Sequence, residues 1–162
     1  MRQNSDQQTR DYQHVERAIQ FLHENFRDQP SLEAIAQAAN LSPHHLQRLF
    51  TRWAGVSPMR FMQSLSLEEA KRALARSESV LDASLTAGLS EPGRLHNLFV
   101  TIEALTPGDL KVRGKGLTVH YGTHTGPYGA FVIAITDRGI CGLQFIEDDN
   151  ADTALDAIRG HF

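Results

Sequence analysis

The 162-residue sequence has one cysteine and no long apolar run. Cys141 alone excludes an internal disulfide, and with eight scattered histidines it gives no spacing typical of a zinc finger. The lack of a membrane-length apolar run, with a polar stretch over residues 1–12 in place of a signal peptide, predicts a cytoplasmic chain without a membrane partner. The composition, 41% hydrophobic, suits one full domain and part of a second.

A second absence is local, because no carboxylate occurs from residue 34 to residue 67. Within this stretch Leu46, Leu49, Phe50 and Trp53 follow the i, i+3, i+4, i+7 spacing of one helical face, which predicts a helix with one buried side. The other side carries donors and cations of the kind that reach base edges and phosphates, and a polyanion would meet no repelling charge there. These residues are His44, His45, Gln47, Arg48, Thr51 and Arg52.

The residues before this helix predict a tight turn after a shorter helix. Asn40 is one of the few residue types other than glycine that tolerate the left-handed conformation needed where the first helix ends. Ser42 would cap the second helix, and Pro43 would occupy its first turn, where a missing N–H costs nothing. The pattern predicts a helix-turn-helix; an ordinary helical hairpin in a small all-α domain is the alternative, and the charge pattern argues against it.

The chain then repeats itself. Residues 84–90 echo residues 36–42 with Gly88 at the turn, and Leu95, Leu98 and Phe99 echo the buried positions of the first helix. Between the copies, Ser57 and Pro58 would start a long helix whose apolar residues can lie against both units: Phe61, Leu65, Leu67, Ala70 and Leu74. We therefore expect two helix-turn-helix units on one linker helix, presenting two reading heads to one face of DNA.

Four motifs follow one another in a specific order: LSPHHLQRLF, GVSPMRFM, EEAKRAL and LTPGDLK. The segment from about His14 to Val112 that holds them, roughly three fifths of the chain, resembles the DNA-binding domain of the AraC family of transcription regulators. The segment AGLSEPGRLHNLFVTIEALTPGDLK is similar to the corresponding sequence of the Ada-like branch of this family. In that branch the domain is fused to a DNA-repair methyltransferase. The resemblance implies double-stranded DNA as the partner, read in the major groove, and RNA polymerase as a second candidate partner, with the oligomeric state open.

The candidate DNA-binding residues differ between the two reading heads. On the first helix His44, Gln47 and Arg48 form one stripe that matches the positions which family members use to read bases, while His45, Thr51 and Arg52 flank it and suit phosphate. On the second helix the matching positions are Pro92, Gly93 and Asn97, with Arg94 and His96 beside them. Because proline and glycine carry no donor or acceptor side chain, base reading and phosphate contact alone stay open alternatives for this helix.

Past Lys115 the pattern changes from helical to alternating, and the acids outnumber the bases by six to two. It predicts three strands, near Leu117–Tyr121, Ala130–Thr136 and Ile140–Ile146, and a helix from Ala151. We expect a sheet with an edge that lacks its usual covering and with one apolar face: Leu117, Val119, Phe131, Ile133, Leu143 and Phe145.

The segment YGTHTGPYGAFVIAITDRGICGLQF resembles the ribonuclease-H-like lobe at the start of the methyltransferase half of the Ada-like proteins. The acceptor cysteine of that family lies in a Pro-Cys-His-Arg setting that does not occur in this sequence, and the chain stops at Phe162 on an apolar-stripe residue, so we expect an incomplete lobe. Cys141 lies mid-strand without an activating neighbour and is interpreted as a small buried hydrophobe. No catalytic residue, cofactor or metal site is expected, since the adjacent His44 and His45 cannot form an i, i+4 metal pair.

The predicted fold is mainly α: two helix-turn-helix units joined by a long linker helix, followed by a partial α+β ribonuclease-H-like lobe of a three-stranded antiparallel sheet plus a helix. The predicted divisions are a disordered tail over residues 1–11, an AraC-type double helix-turn-helix domain over 12–115, and the incomplete lobe over 116–162. Two functions are compatible with this reading. One is a sequence-specific DNA-binding regulator, and the other is a fragment of a bifunctional regulator and repair methyltransferase acting on alkylated guanine.

Overall fold

The structure, a computed structural model, describes residues 2–147 and 150–160. Expectations that concern Met1 and Phe162 lie outside these residues. Seven helices come first: α1 (Arg2–Asn25), α2 (Leu32–Ala38), α3 (Pro43–Ala54), α4 (Pro58–Ala75), α5 (Val80–Thr86), α6 (Pro92–Glu103) and α7 (Pro107–Lys111). Three strands and a helix follow: β1 (His120–Gly126), β2 (Gly129–Thr136), β3 (Gly139–Phe145) and α8 (Ala151–Arg159). The predicted mainly helical fold with a three-stranded antiparallel sheet and a helix is confirmed.

The chain divides into two compact units. The first comprises the residues up to Ala70 together with Ser84–Ser90, and the second comprises Lys71–Ala83 together with the residues from Glu91 onward. These units differ from the predicted 12–115 and 116–162 domains, which stay a prediction of the sequence.

The core of the first unit forms where α1, α2 and α3 meet. Its buried side chains follow helical spacing on each element, because only one stripe of each helix can face the other two. They are Val15, Ala18, Leu22, Phe26, Ile35, Ala36, Ala39, Leu46, Leu49, Phe50 and Met62. The rings of Phe50 and Phe61 meet edge to face with their centroids 5.6 Å apart.

The turn between α2 and α3 forms as the sequence predicts. Asn40 has φ of 54°, in the left-handed region, and the N–H of Leu41 donates to the carbonyl of Ala36 at 2.9 Å. The Nδ1 atom of His14 lies 2.7 Å from the carbonyl oxygen of Ala39, which satisfies another group at the end of α2. The turn is therefore fixed both by its own backbone and by a side chain of α1.

The turn after α5 repeats this hydrogen-bond pattern. Gly88 has φ of 76°, and the N–H of Leu89 donates to the carbonyl of Ser84 at 2.8 Å. A Cβ atom on Gly88 would lie 2.1 Å from the carbonyl oxygen of Arg27, so the turn needs glycine for its conformation and for its close approach to that backbone. The sequence repeat is thus a structural repeat at the turns.

Helix α1 begins at Arg2 rather than near Tyr12, so the described residues of the predicted disordered tail are helical. The physical reason is an anchor that the sequence analysis did not use. Asp11 is only 8% exposed, and its carboxylate accepts hydrogen bonds from Gln7 and Arg52. The tail prediction needs correction for residues 2–11.

In the second unit α8 packs on one face of the sheet, where small residues let it come close. The buried residues here are Ala104, Leu105, Val132, Ala134, Cys141, Ala154 and Ile158. A Cβ atom on Gly142 would lie 2.8 Å from Cγ2 of Ile158, which shows how near the helix lies to β3. At the start of this unit's α7, Thr106 and Asp109 form a capping box.

The predicted single apolar face is wrong. Strand β1 begins only at His120, so the alternation does not extend back to Leu117 and Val119, which pack against the α8 side instead. The register pairs Phe131 with Phe145 and Ile133 with Leu143 on the other face, because successive residues of a strand point to opposite sides. On that face Leu143 is 48% exposed and Phe145 is 44% exposed.

Candidate nucleic-acid interface

Helix α3 has the start and end that its sequence predicts. The hydroxyl of Ser42 accepts a hydrogen bond from the N–H of His45 at 3.3 Å, and Pro43 occupies the first turn. Gly55 ends the helix in the left-handed region with φ of 75°. The helix is therefore fixed at both ends.

The side of α3 that packs in the core is formed by Leu46, Leu49 and Phe50, all of them buried. Trp53 was expected on this side, and that expectation is wrong. Trp53 is 44% exposed, and its ring meets that of Tyr12 edge to face, with centroids 6.0 Å apart. The last turn of α3 therefore leaves the core, and a half-exposed aromatic pair lies beside the basic face.

The predicted DNA-binding residues of α3 lie on the opposite side from the core. Gln47 is half-buried, and the other five are exposed: His44, His45, Arg48, Thr51 and Arg52. Six polar side chains are thus available to a ligand along a helix of 12 residues. Their role in binding DNA stays a prediction.

A polar pocket of about 180 Å³ lies between α3 and the first turns of α1. His45, Arg48 and Arg52, at the i, i+3, i+7 spacing of one helical stripe, line it together with Gln7 and Asp11. Nη2 of Arg52 lies 2.7 Å from Oδ2 of Asp11. Folding therefore places the Asp11 carboxylate beside α3, although the segment of sequence that contains α3 has no carboxylate.

Asp11 and Gln7 are the residues of this site that sequence reasoning missed. A signal was present, because Asp11 continues the buried stripe of Val15, Ala18 and Leu22 one turn toward the N-terminus. A carboxylate at a stripe position implies a cationic partner across the interface.

Helix α6 shares the pattern of α3 in its buried residues but differs in its start. Leu95, Leu98 and Phe99 are buried, as the repeat predicts. Glu91 at the N-cap makes no side-chain capping hydrogen bond, in contrast to Ser42. The candidate DNA-binding positions of this helix are all exposed: Pro92, Gly93, Arg94, His96 and Asn97.

Cys141 lies in β3 and is 5% exposed, in agreement with its interpretation as a buried small hydrophobe. Burial raises the pKa of its thiol above the ordinary value, and the negative charge of Glu103 adds to the increase. A raised pKa is the opposite of what a thiolate nucleophile requires.

Among residues 2–147 and 150–160, no group of three or more His, Cys, Asp or Glu side chains is arranged to hold a metal ion. Over the same residues, no helix combines the length and apolarity that crossing a membrane requires.

Comparison with known proteins shows what this chain is similar to. Residues 35–113 match a family model described as a helix-turn-helix domain. Among curated proteins, the bifunctional transcriptional activator/DNA repair enzyme Ada of Escherichia coli (strain K12) is 29% identical over 119 residues, which cover 74% of this chain and 34% of that protein. A XylDLEGF operon transcriptional activator of Pseudomonas putida is 31% identical over 98 residues, covering 58% of this chain and 30% of that protein.

Solved structures agree on the fold. A transcriptional regulator of Chromobacterium violaceum, described as containing an AraC-type DNA-binding domain, superposes with a TM-score of 0.57 at 22% identity, covering 64% of this chain and 93% of that one. The DNA-binding domain of AdpA, solved in complex with a target DNA, superposes with a TM-score of 0.57 at 21% identity, covering 60% and 89%.

Residues 35–113, just under half of the chain, are therefore similar to a helix-turn-helix domain. Its fold agrees with that of a solved domain described as AraC-type. The chain spans about a third of the length of the curated relatives named above.

Proposed function

We propose that this chain is a sequence-specific regulator of transcription that binds double-stranded DNA through the major groove, with α3 as its principal reading helix. The observation that carries the proposal is the two-sided character of α3. Leu46, Leu49 and Phe50 fix its orientation from the core, while a row of donors and cations stays exposed on the other side.

The dimensions and the charge of α3 support this proposal. An α-helix fits the major groove of B-DNA, and Arg and Gln side chains make bidentate contacts to guanine and adenine. On this face the exposed Arg48 and the half-buried Gln47 have these side chains, while Arg52 and His45 suit phosphate oxygens. Three curated relatives carry names that describe transcriptional activators or regulatory proteins, which points in the same direction.

The Ada-like relatives raise a second candidate, a bifunctional regulator and DNA-repair methyltransferase of which this chain is one part. The supporting observation is the match to the Escherichia coli protein whose name includes a DNA repair enzyme. The burial and raised pKa of Cys141 argue against methyl acceptance by this chain itself, because transfer to sulfur needs a reactive thiolate. The regulator is therefore the function that we favour, and RNA polymerase stays a predicted partner.

Selection of DNA sites from a random duplex library with the purified 162-residue chain tests the proposal. We expect an enriched motif, and specific binding tighter than random binding by about 10³-fold or more. Arg48→Ala should weaken enrichment, whereas Arg159→Ala should not, since Arg159 on α8 matches Arg52 in side-chain exposure at 65% but lies outside the helix-turn-helix. Equal affinity for all duplexes would contradict sequence-specific regulation.

A further inference from the structure

The ion pair between Asp11 and Arg52 joins a buried carboxylate to an exposed cation. The Asp11 side chain is 11% exposed, whereas that of Arg52 is 65% exposed. Each carboxylate oxygen of Asp11 has a donor: Oδ1 accepts from Nε2 of Gln7 at 2.7 Å, and Oδ2 accepts from Nη2 of Arg52 at 2.7 Å. The Asp11 carboxylate is therefore more buried than the Arg52 guanidinium, and its other oxygen is held by Gln7 of α1.

This arrangement restricts a side chain that would otherwise move freely. A free arginine on a surface samples many rotamers, and fixing it on a ligand costs conformational entropy. A guanidinium has five N–H donors in a planar fork, so the bond to Asp11 can hold one nitrogen while other donors stay available to a ligand. The exposure of Arg52 leaves room for such a second contact.

The surroundings of Arg52 identify an anion as the ligand of this second contact. His45 and Arg48 line the same pocket as Arg52, and Gln7 adds an amide donor. Among the described side chains that line the pocket, three basic groups and one amide face a single negative charge, that of Asp11, which already accepts from two of these residues. A phosphate of a DNA backbone fits this chemistry, since a duplex read by α3 would bring phosphates to the flanks of the helix.

We infer that Asp11 is a positioning residue that holds the Arg52 guanidinium for a backbone phosphate of bound DNA. The inference rests on the proposed function and adds a residue of α1 to the determinants of affinity. The inference predicts that removing the charge of Asp11 changes the affinity for DNA in the direction opposite to that expected from charge alone. Removing a negative charge from a DNA-binding surface ordinarily strengthens binding to a polyanion, whereas removing a positioning carboxylate weakens it.

The test compares Asp11→Asn, Arg52→Ala and the double variant in the full chain. Glu24→Gln is the matched control, because Glu24 lies on the same helix and also accepts a hydrogen bond from a glutamine four residues earlier, but is exposed. Fluorescence anisotropy measures the dissociation constant for a selected duplex and for a random duplex over a series of salt concentrations. Thermal unfolding checks that each variant is folded.

We expect Asp11→Asn to weaken binding to both duplexes by about two- to tenfold, the range that corresponds to immobilising one long side chain. Its salt slope should fall toward that of Arg52→Ala, and Asp11→Asn should have no further effect once Arg52 is alanine. Glu24→Gln should bind as tightly as the unmodified chain or slightly more tightly. Tighter or unchanged binding by Asp11→Asn, or an equal loss in the Arg52→Ala background, would overturn the inference.

A measurement without DNA separates this inference from the proposed function. Side-chain ¹⁵N NMR of Arg52 should show hindered rotation of the guanidinium in the unmodified chain and in Glu24→Gln, and free rotation in Asp11→Asn. Free rotation in the unmodified chain would refute positioning by Asp11. Hindered rotation in a chain that binds no duplex would instead refute the proposed function and, with it, the phosphate as the ligand of Arg52.

Discussion

Arg48 and Arg52 lie four positions apart on α3 and line the same pocket, but only Arg52 has an ion pair with Asp11. If Arg48 makes a bidentate contact to guanine, Arg48→Ala should cost about 1–3 kcal/mol on the selected site and relax the preference at one base pair. Arg52→Ala should weaken all sequences alike and lower the salt slope by about one unit, because a phosphate contact releases counterions whatever the base.

Titrations of both variants with the selected duplex and a random duplex measure these effects. Arg159→Ala serves as the control for the loss of one exposed cation. Equal losses on the two duplexes for both variants would show that neither arginine reads a base.

Cys141 should be unreactive in the folded chain. Burial raises the pKa of its thiol, with a smaller contribution from Glu103, so at any pH the thiolate fraction is lower than in a free cysteine. Alkylation by iodoacetamide should be slow at neutral pH, should accelerate only at a pH higher than a free thiol needs, and should become fast in urea. Mass spectrometry after incubation with methylated duplex should show no methyl adduct, and stoichiometric methylation of Cys141 would contradict its structural role.

Single residues also mark what the sequence could predict and what it could not. Asn40 and Ser42 were predicted correctly, because a left-handed residue and a cap depend on local backbone geometry. The position of Asp11 beside Arg52 was missed, since 41 residues separate them and only packing brings them together. Trp53 continues the apolar spacing of α3, but the helix extends past the core that would bury it.

At the level of elements, the turn after α5 and the turn after α3 have different tolerances to substitution. Gly88→Ala places a Cβ atom 2.1 Å from the backbone oxygen of Arg27 and strains a residue with φ of 76°. Gly55 is the matched control, because it has φ of 75° but nothing within 4 Å of an added Cβ atom. Urea unfolding should show a loss of about 1–2 kcal/mol for Gly55→Ala, from backbone strain alone, and a loss of about 3 kcal/mol or more for Gly88→Ala.

A similar loss in the two glycine variants would show that the turn around Gly88 can move away from Arg27 at little cost. The α5 turn would then be less tightly packed than its hydrogen bonds indicate.

The two reading helices should contribute unequally to specificity. Helix α6 begins with Pro92 and Gly93, which offer no side-chain donor or acceptor, and its N-cap Glu91 makes no capping hydrogen bond. Footprinting and site selection should show a well-defined half-site for α3 and a poorly specified one about a helical turn away for α6. Selected sites with equal information in both halves would contradict this prediction.

The sheet shows how far periodicity can predict which face is buried. The predicted limits of β2 and β3, Ala130–Thr136 and Ile140–Ile146, differ from the observed ones by at most about one residue. Which side α8 covers could not be predicted in this way, because both faces of β2 are apolar and the choice depends on small residues, Ala134 and Gly142, that admit Ile158. The bulky residues of β2 and β3 indicated the wrong face as the one that α8 covers. A helix packs closest to a sheet where the side chains are smallest.

Across the whole molecule, the helix order and both turns could be predicted because the repeat supplies two independent copies of the same pattern. The grouping into two units could not, since residues 84–90 belong with the first unit although most of the neighbouring chain belongs with the second. Sequence order alone does not determine which segments pack together when residues 84–90 and the segments on either side of them belong to different units.

Hydrogen exchange should distinguish the linker helix from the end of the chain. Helix α4 buries Met62, Ser66, Leu67, Ala70, Ala73 and Leu74, whereas α8 buries only Ala154 and Ile158 among its described residues. Because a fully buried Leu or Met side chain contributes about 1.5–3 kcal/mol, local opening of α8 should need much less free energy than opening of α4.

We therefore expect fast exchange in residues 147–162 and slow exchange in residues 61–74, measured by mass spectrometry of peptides after timed labelling. Repeating the measurement at two pH values would show whether the exchange rates report opening equilibria. Equal protection of the two segments would mean that the sheet face bearing Phe131, Leu143 and Phe145 is covered in solution by a partner that also stabilises α8.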